Sequence, residues 1–281
     1  MGLREAKVGQ PACQSNMSDN SKDCASPVVP GPIGRVLFLL GHCLRVVVFL
    51  VFSAAMLSLL VAIALLKPGP TYYRYALMWA AGTLKIFRVS VEGKGIENFR
   101  TGTHCVVMCN HRSHFDPLAL VGFLGHDRET RWVAKKELTR VPIFGSALKA
   151  TGQIVVDRND HKQALAALNN SLHGHDVSVV FFPEGTRSPT RALLPFKRGA
   201  AAFAIATGFP VVPVAVVGAE RTLGKYSLVP RPGLVRVRIG EPISVAGLNV
   251  DDRESLTLKA RAAIEVLLEE MEGPTATEGQ G

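Results

Sequence analysis

Cys105-Val106-Val107-Met108-Cys109-Asn110-His111-Arg112-Ser113-His114-Phe115-Asp116-Pro117 reads as a short buried strand, a polar loop and the start of a helix. The apolar run predicts the strand, and Asp116-Pro117 predicts an N-cap followed by proline at the first helical position. On a continuous helix, His111 and Asp116 would point about 140° apart around the axis. A loop after His111 removes that obstacle. The Asp116 carboxylate can then fold back onto one imidazole nitrogen and leave the other free to take a proton, which is a general base with its orienting partner. The alternative is that Asp116 only caps the helix and His111 is an ordinary loop residue.

A second strand-to-loop junction follows. Val177-Ser178-Val179-Val180-Phe181-Phe182 predicts another buried strand, which runs into Pro183-Glu184-Gly185-Thr186-Arg187-Ser188. Proline stops a strand and glycine permits a tight turn. Arg187 offers a planar fork suited to phosphate oxygens, with the Thr186 and Ser188 hydroxyls beside it. A structural turn carrying a surface arginine would read the same way.

Together these two clusters resemble the N-H-x-S-x-x-D and F-P-E-G-T-R-S blocks of the glycerolipid acyltransferases, in particular the 1-acyl-sn-glycerol-3-phosphate (lysophosphatidate) acyltransferase family. Gly152-Gln153-Ile154-Val155-Val156-Asp157-Arg158 is similar to that family's G-x-I-x-I-D-R segment, and Val212-Pro213-Val214 to its V-P-V strand. Val133-Ala134-Lys135-Lys136-Glu137-Leu138 and Pro195-Phe196-Lys197-Arg198-Gly199 resemble the stretches between and after the blocks. The resemblance covers roughly residues 70 to 245, and the blocks keep the family's order. It implies transfer of an acyl chain from acyl-CoA or acyl-carrier-protein to the free hydroxyl of a lysophospholipid, with 1-acyl-sn-glycerol-3-phosphate as acceptor and phosphatidate as product. It also implies that Lys135 or Lys136, with Arg187, holds the acceptor phosphate while Glu184, Gly185 and Thr186 shape that pocket.

The chain has 281 residues, 47% of them hydrophobic, and a formal net charge of +9. Val46 to Leu66 carries no charged residue and is long enough to cross a hydrocarbon core as a helix. It begins too late for an ordinary signal peptide, so an uncleaved anchor is expected, with a buried core helix as the competing reading. Tyr72 to Phe87 predicts a second, amphipathic helix whose Tyr72, Tyr73, Tyr75 and Trp79 suit a headgroup interface. Family members often carry a helix pair that dips into one leaflet, so the resemblance allows a monotopic pair as well as a spanning one, and the sequence does not separate the two. Arg35 and Arg45 precede the apolar run while Lys67, Arg74, Lys85 and Arg88 follow it, a balance that mildly favours a cytoplasmic catalytic domain.

The expected organisation is a disordered segment at 1–30, an anchor with its interfacial helix at 31–90, an acyltransferase domain at 91–271 and a disordered tail at 272–281. Strands are expected at 104–109, 131–134, 153–156, 177–182, 211–217 and 234–239. Helices are expected at 117–124, 141–150, 160–173, 198–207 and 252–271. This alternation predicts an α/β domain with a mostly parallel sheet flanked by helices. In the last strand Arg236 and Arg238 alternate with apolar residues, as a half-exposed strand near an edge would. Leu256, Ala260, Ile264, Leu267, Leu268 and Met271 form one stripe of the last helix.

The basic charge fits anionic lipid and an acyl carrier's phosphates, and no nucleic-acid-binding signature accompanies it. Five cysteines without C-x-x-C spacing predict neither a disulfide framework nor a zinc site, and Cys105 and Cys109 read as core. His111, His114 and Asp116 lack the spacing of known metal motifs, so no metal or other cofactor is expected. There is no G-x-S-x-G elbow, and Ser113 reads as loop support, so direct transfer from a thioester is expected rather than an acyl-serine. An acyltransferase or transacylase acting on another lysolipid, or a membrane lipid-binding protein that has lost catalysis, would share most of these features.

Overall fold

The computed structural model describes residues 32–66, 71–100, 104–125, 127–140, 145, 148, 153–156, 177–227 and 229–273. The expected helices at 141–150 and 160–173, the segments at 1–30 and 274–281, and Gly152, Asp157 and Arg158 lie wholly or largely outside these residues. Met1–Gly41 and His42–Gly281 form separate units.

Helix α1 (Pro32–Leu66) starts well before the uncharged run and ends with it. Among the described residues it alone is long and apolar enough to cross a membrane, and only 6% of its most apolar window is buried. A core helix of a soluble domain would be mostly covered, so exposure favours the anchor reading. In the second unit Leu44, Val47, Leu50 and Val51 all remain open to solvent. Helix α2 (Thr71–Ile86) matches the expected amphipathic helix. Two of its half-buried aromatics find polar partners within the protein. Tyr73 donates its hydroxyl to the Arg128 carbonyl at 3.1 Å, and Trp79 Nε1 donates to Ser53 Oγ at 3.1 Å. Phe49, Phe87 and Phe115 then meet in sequence, the first pair tilted and the second edge-to-face, with centroids 5.4 and 5.9 Å apart, joining the helix pair to the domain.

The sheet contains β1 (Val89–Lys94), β2 (Val106–Cys109), β3 (Glu129–Lys135), β4 (Ile154–Val156), β5 (Val177–Phe181), β6 (Val211–Val217) and β7 (Gly233–Ile239). Their order is β1-β7-β6-β2-β5-β3-β4. Every neighbouring pair is parallel except β6 with β7. The mostly parallel α/β architecture expected from the alternating pattern is the one found. Strand β1 was not expected: its Val89 and Val91 alternate with Ser90 and Glu92, but the run is short and reaches Gly93 at once. A domain boundary at 90/91 falls inside this strand. Because β1 takes the edge, β7 sits one place in, and its alternating burial follows.

Central strands buried on both faces read as continuous apolar runs, and β2 and β6 are buried at every position. Alternate residues feed two cores. Val106, Met108, Val179 and Ala215 pack with Phe203 of α5 (Gly199–Thr207) and with Leu256 and Ile264 of α7 (Arg253–Glu272). Val107, Cys109, Val180, Val214 and Val216 pack with Leu120 and Leu124 of α4 (Asp116–Leu124) and Leu84 of α2. Two short helices, α3 (Ile96–Arg100) and α6 (Ala219–Thr222), lie between the strands.

The helices that follow adjacent strands β2 and β5 therefore lie on opposite faces of the sheet. Such a divergence opens a crevice beyond the strands' carboxyl ends, where open α/β sheets bind ligands. Both polar loops singled out in the sequence emerge there.

Candidate active site

Asn110 continues β2 with its side chain. Its Nδ2 donates to the Val216 carbonyl at 2.9 Å and its Oδ1 accepts the Val216 N–H at 2.8 Å, so the amide stands in for one more rung of the ladder. The chain is thereby pinned immediately before His111.

Asp116 is the first residue of α4 and does not cap it; the N-cap position is Phe115, with no side-chain cap. The expected Asp116 cap is corrected for a physical reason: its carboxylate is turned back into the loop. Asp116 Oδ2 accepts the N–H groups of Arg112 and Ser113, each at 2.7 Å, and lies 2.9 Å from His111 Nδ1. Asp116 is fully buried, and Oδ1 has no partner among the described residues. One face of the His111 ring stacks on Phe182, with centroids 4.0 Å apart and planes 18° apart, and Trp132 stacks behind Phe182 at 5.6 Å. Held on its edge and its face, the imidazole has no partner for Nε2 among the described residues.

The second loop is clamped to the first. Glu184 Oε1 accepts the His111 N–H at 2.7 Å, Oε2 accepts the Leu194 N–H at 3.0 Å, and the Ser188 N–H donates to the His111 carbonyl at 2.7 Å. Glu184 thus ties the two loops together through backbone N–H groups. Gly185 turns at φ 74°, where a side chain would be strained, and its N–H donates to the Phe182 carbonyl at 3.0 Å. Ser188 does not offer its hydroxyl to a ligand as the sequence suggested, because Oγ donates toward the Thr190 and Ala192 carbonyls. Ser113 Oγ likewise donates to the Leu223 carbonyl at 2.7 Å and accepts the Phe115 N–H at 3.0 Å.

Thr186 is exposed beside this turn, and Arg187 is half-buried with Nη1 enclosed and without a partner among the described residues. A shielded guanidinium nitrogen with no acceptor is suited to an anionic ligand. Burial first, then the charges of Arg187 and His111, pushes the His114 pKa down, against a smaller opposing effect of Asp116. Lys135 closes β3 and Lys136 opens the turn after it, so the backbone brings both to the carboxyl end of β3, next to β5; Lys136 is exposed. Among the described residues no group of three or more His, Cys, Asp or Glu side chains is placed to hold a metal.

Burial raises the Glu184 carboxyl pKa, opposed in turn by the Leu194 and His111 N–H groups and by the charges of His111 and Arg112. With a raised native value, the stability this group contributes is fully present below the ordinary glutamate pKa and is lost as pH rises through the native one. Wild type should therefore gain stability relative to Glu184→Gln as pH falls from about 8 to about 5. Thermal melts of both proteins across that range check this, and a difference that moves the other way contradicts it.

Residues missed in the sequence are Asn110, Phe182 and Arg112. Asn110 and Phe182 directly flank the two polar loops, a position that could have marked them. The role of Arg112 had no local signal: its guanidinium meets Glu272, far along the chain.

The acyltransferase family model matches residues 90–217. The chain is 31% identical over 194 residues to 1-acyl-sn-glycerol-3-phosphate acyltransferase of Salmonella typhimurium, spanning 68% of this chain and 78% of that protein. The figures for the Escherichia coli enzyme of the same name are equal. It is 30% identical over 200 residues to the sheep 1-acyl-sn-glycerol-3-phosphate acyltransferase alpha, spanning 70% of this chain and 67% of that one. The crystal structure of a 1-acyl-sn-glycerophosphate (LPA) acyltransferase from Thermotoga maritima superposes with a TM-score of 0.68, covering 84% of this chain and 98% of that chain at 23% identity. At that identity the likeness speaks for the fold.

Proposed function

We infer the reaction from one premise: this chain belongs to the 1-acyl-sn-glycerol-3-phosphate acyltransferase family. It is an acyltransferase of lipid biosynthesis that esterifies the free hydroxyl of 1-acyl-sn-glycerol-3-phosphate and yields phosphatidate. The observation that carries the mechanism is the His111 imidazole, held at Nδ1 by buried Asp116, with no partner for Nε2 among the described residues.

In this reading Nε2 takes the acceptor's hydroxyl proton as the oxygen attacks the carbonyl of an acyl thioester, supplied by acyl-CoA or acyl-carrier-protein. Asp116 keeps Nδ1 protonated and stabilises the imidazolium. Collapse of the tetrahedral intermediate breaks the carbon–sulfur bond, and the proton passes from Nε2 to the departing thiolate. The thioester is already activated, so the step needs no metal or other cofactor. The Gly185 N–H is an unsuitable oxyanion donor because the Phe182 carbonyl accepts it. Arg187 grips the acceptor phosphate, with Lys135 or Lys136 adding charge and Thr186 lining the same pocket above Glu184 and Gly185. The apolar helix holds the site at a membrane, with the catalytic domain on the cytoplasmic side.

The test is acyl transfer by purified protein across a panel of lysolipids, comparing CoA and carrier-protein donors. Preference for another lysolipid would move the acceptor assignment, and no transfer to any would leave a lipid-binding role. Arg187 gives a sharper check, because lysine keeps the charge but loses the two-pronged geometry. Arg187→Ala should raise KM for lysophosphatidate roughly 10- to 100-fold and Arg187→Lys by less, with KM for the donor nearly unchanged. If only the donor KM rises, the phosphate at this site belongs to the carrier.

A further inference from the structure

We propose that Arg112 and Glu272 are positioning residues: a buried ion pair through which the last turn of α7 sets the geometry of the His111 loop. Arg112 is 2% exposed, and its Nη1 meets Glu272 Oε1 at 2.9 Å, on a side chain that is itself only 4% exposed. This places Glu272 in the catalytic domain rather than in a tail beginning at 272.

Three observations separate the pair from ordinary packing. The Arg112 N–H is one of the donors to Asp116 Oδ2, so whatever fixes Arg112 also fixes part of the Asp116 cradle. Arg112 Nη2 donates to the Arg191 carbonyl, in the loop that Ser188 ties to the His111 carbonyl. The guanidinium therefore closes a circuit through His111, Ser188, Arg191 and Arg112. Finally, a carboxylate at a helix C-terminus faces the negative end of the helix dipole, so α7 by itself does not favour Glu272 there. Its placement is explained by the cation it meets. The Leu256–Leu268 stripe docks α7 on the sheet without it.

This inference rests on His111 being the base, and catalysis is where its loss should register. A misplacement of about 1 Å at a reacting group can cost up to about 100-fold in rate while binding persists. Glu272→Gln and Arg112→Met, each made in the full-length protein, should lower kcat roughly 10- to 100-fold, with KM for both substrates changed less than about twofold. Combining them should add less than about twofold, because the two act as one unit. Amide exchange should quicken over residues 110–116 and stay slow in β2, β5 and β6. Deleting residues 274–281, beyond the pair, should leave kcat unchanged.

A folded Glu272→Gln protein with wild-type kcat would overturn the proposal, as would faster exchange confined to α7. If a single substitution strands a buried charge and the protein does not fold, Arg112→Met with Glu272→Leu removes both charges and carries the same comparison. Wild-type kcat in that variant would also overturn it. If the unmodified protein shows no His111-dependent transfer, the functional reading fails, but the exchange experiment needs no substrate and still decides whether Glu272 orders the His111 loop.

Discussion

Replacing His111 by alanine lowers turnover of lysophosphatidate by roughly 10² to 10⁴ and leaves the protein folded and membrane-bound. The expectation of intact folding comes from the way the residue is held. Its links to Glu184 and Ser188 run through its own backbone N–H and carbonyl, so alanine keeps both. What is lost is the imidazole, its contact with Asp116 and its stacking on Phe182. KM for both substrates should move little, because the base acts on the hydroxyl proton in the transition state. Steady-state kinetics with thermal melts on the same preparations check this. Near-normal specific activity in the variant would remove His111 from the mechanism.

Asp116→Asn should lower kcat by roughly 10- to 1,000-fold, a smaller loss than that of His111→Ala. The amide oxygen can still accept the Arg112 and Ser113 N–H groups, so the loop keeps its course. It has no charge with which to stabilise the imidazolium. If the amide nitrogen takes the place of the unpartnered Oδ1, it adds a buried donor without an acceptor, at about 1–3 kcal/mol. A modest fall in melting temperature should accompany the kinetic loss. A variant with wild-type kcat would show that Asp116 only shapes the loop.

The parts of the fold that were legible in the sequence are those in which one short run carries the whole signal. Val106–Cys109, Val177–Phe181 and Val211–Val217 are buried on both faces and read as apolar runs, and the stripe of α7 repeats with helical period. Strand β1 was not legible, because most of its positions are exposed and its identity comes from pairing with β7, far along the chain. Within the site, the His111 and Asp116 pairing needs only a five-residue loop and could be anticipated. The Glu184 clamp could not, since its partners are two backbone N–H groups, one of them 73 residues away. The Arg112 to Glu272 contact spans 160 residues and left no mark in either local sequence. Asp116-Pro117 was misleading because the pair looks like a cap and first turn, while the carboxylate was recruited by the preceding loop.

The central claim is that this protein carries out His111-dependent acyl transfer from a thioester to lysophosphatidate. The most direct measurement is the yield of phosphatidate and free thiol from purified wild-type protein in lipid vesicles, run beside His111→Ala at equal folded concentration. Phosphatidate and thiol appearing in equal amounts with wild type, and falling together by at least about 100-fold in the variant, is the predicted result. Equal yields from both proteins, or thiol release without phosphatidate, would contradict it.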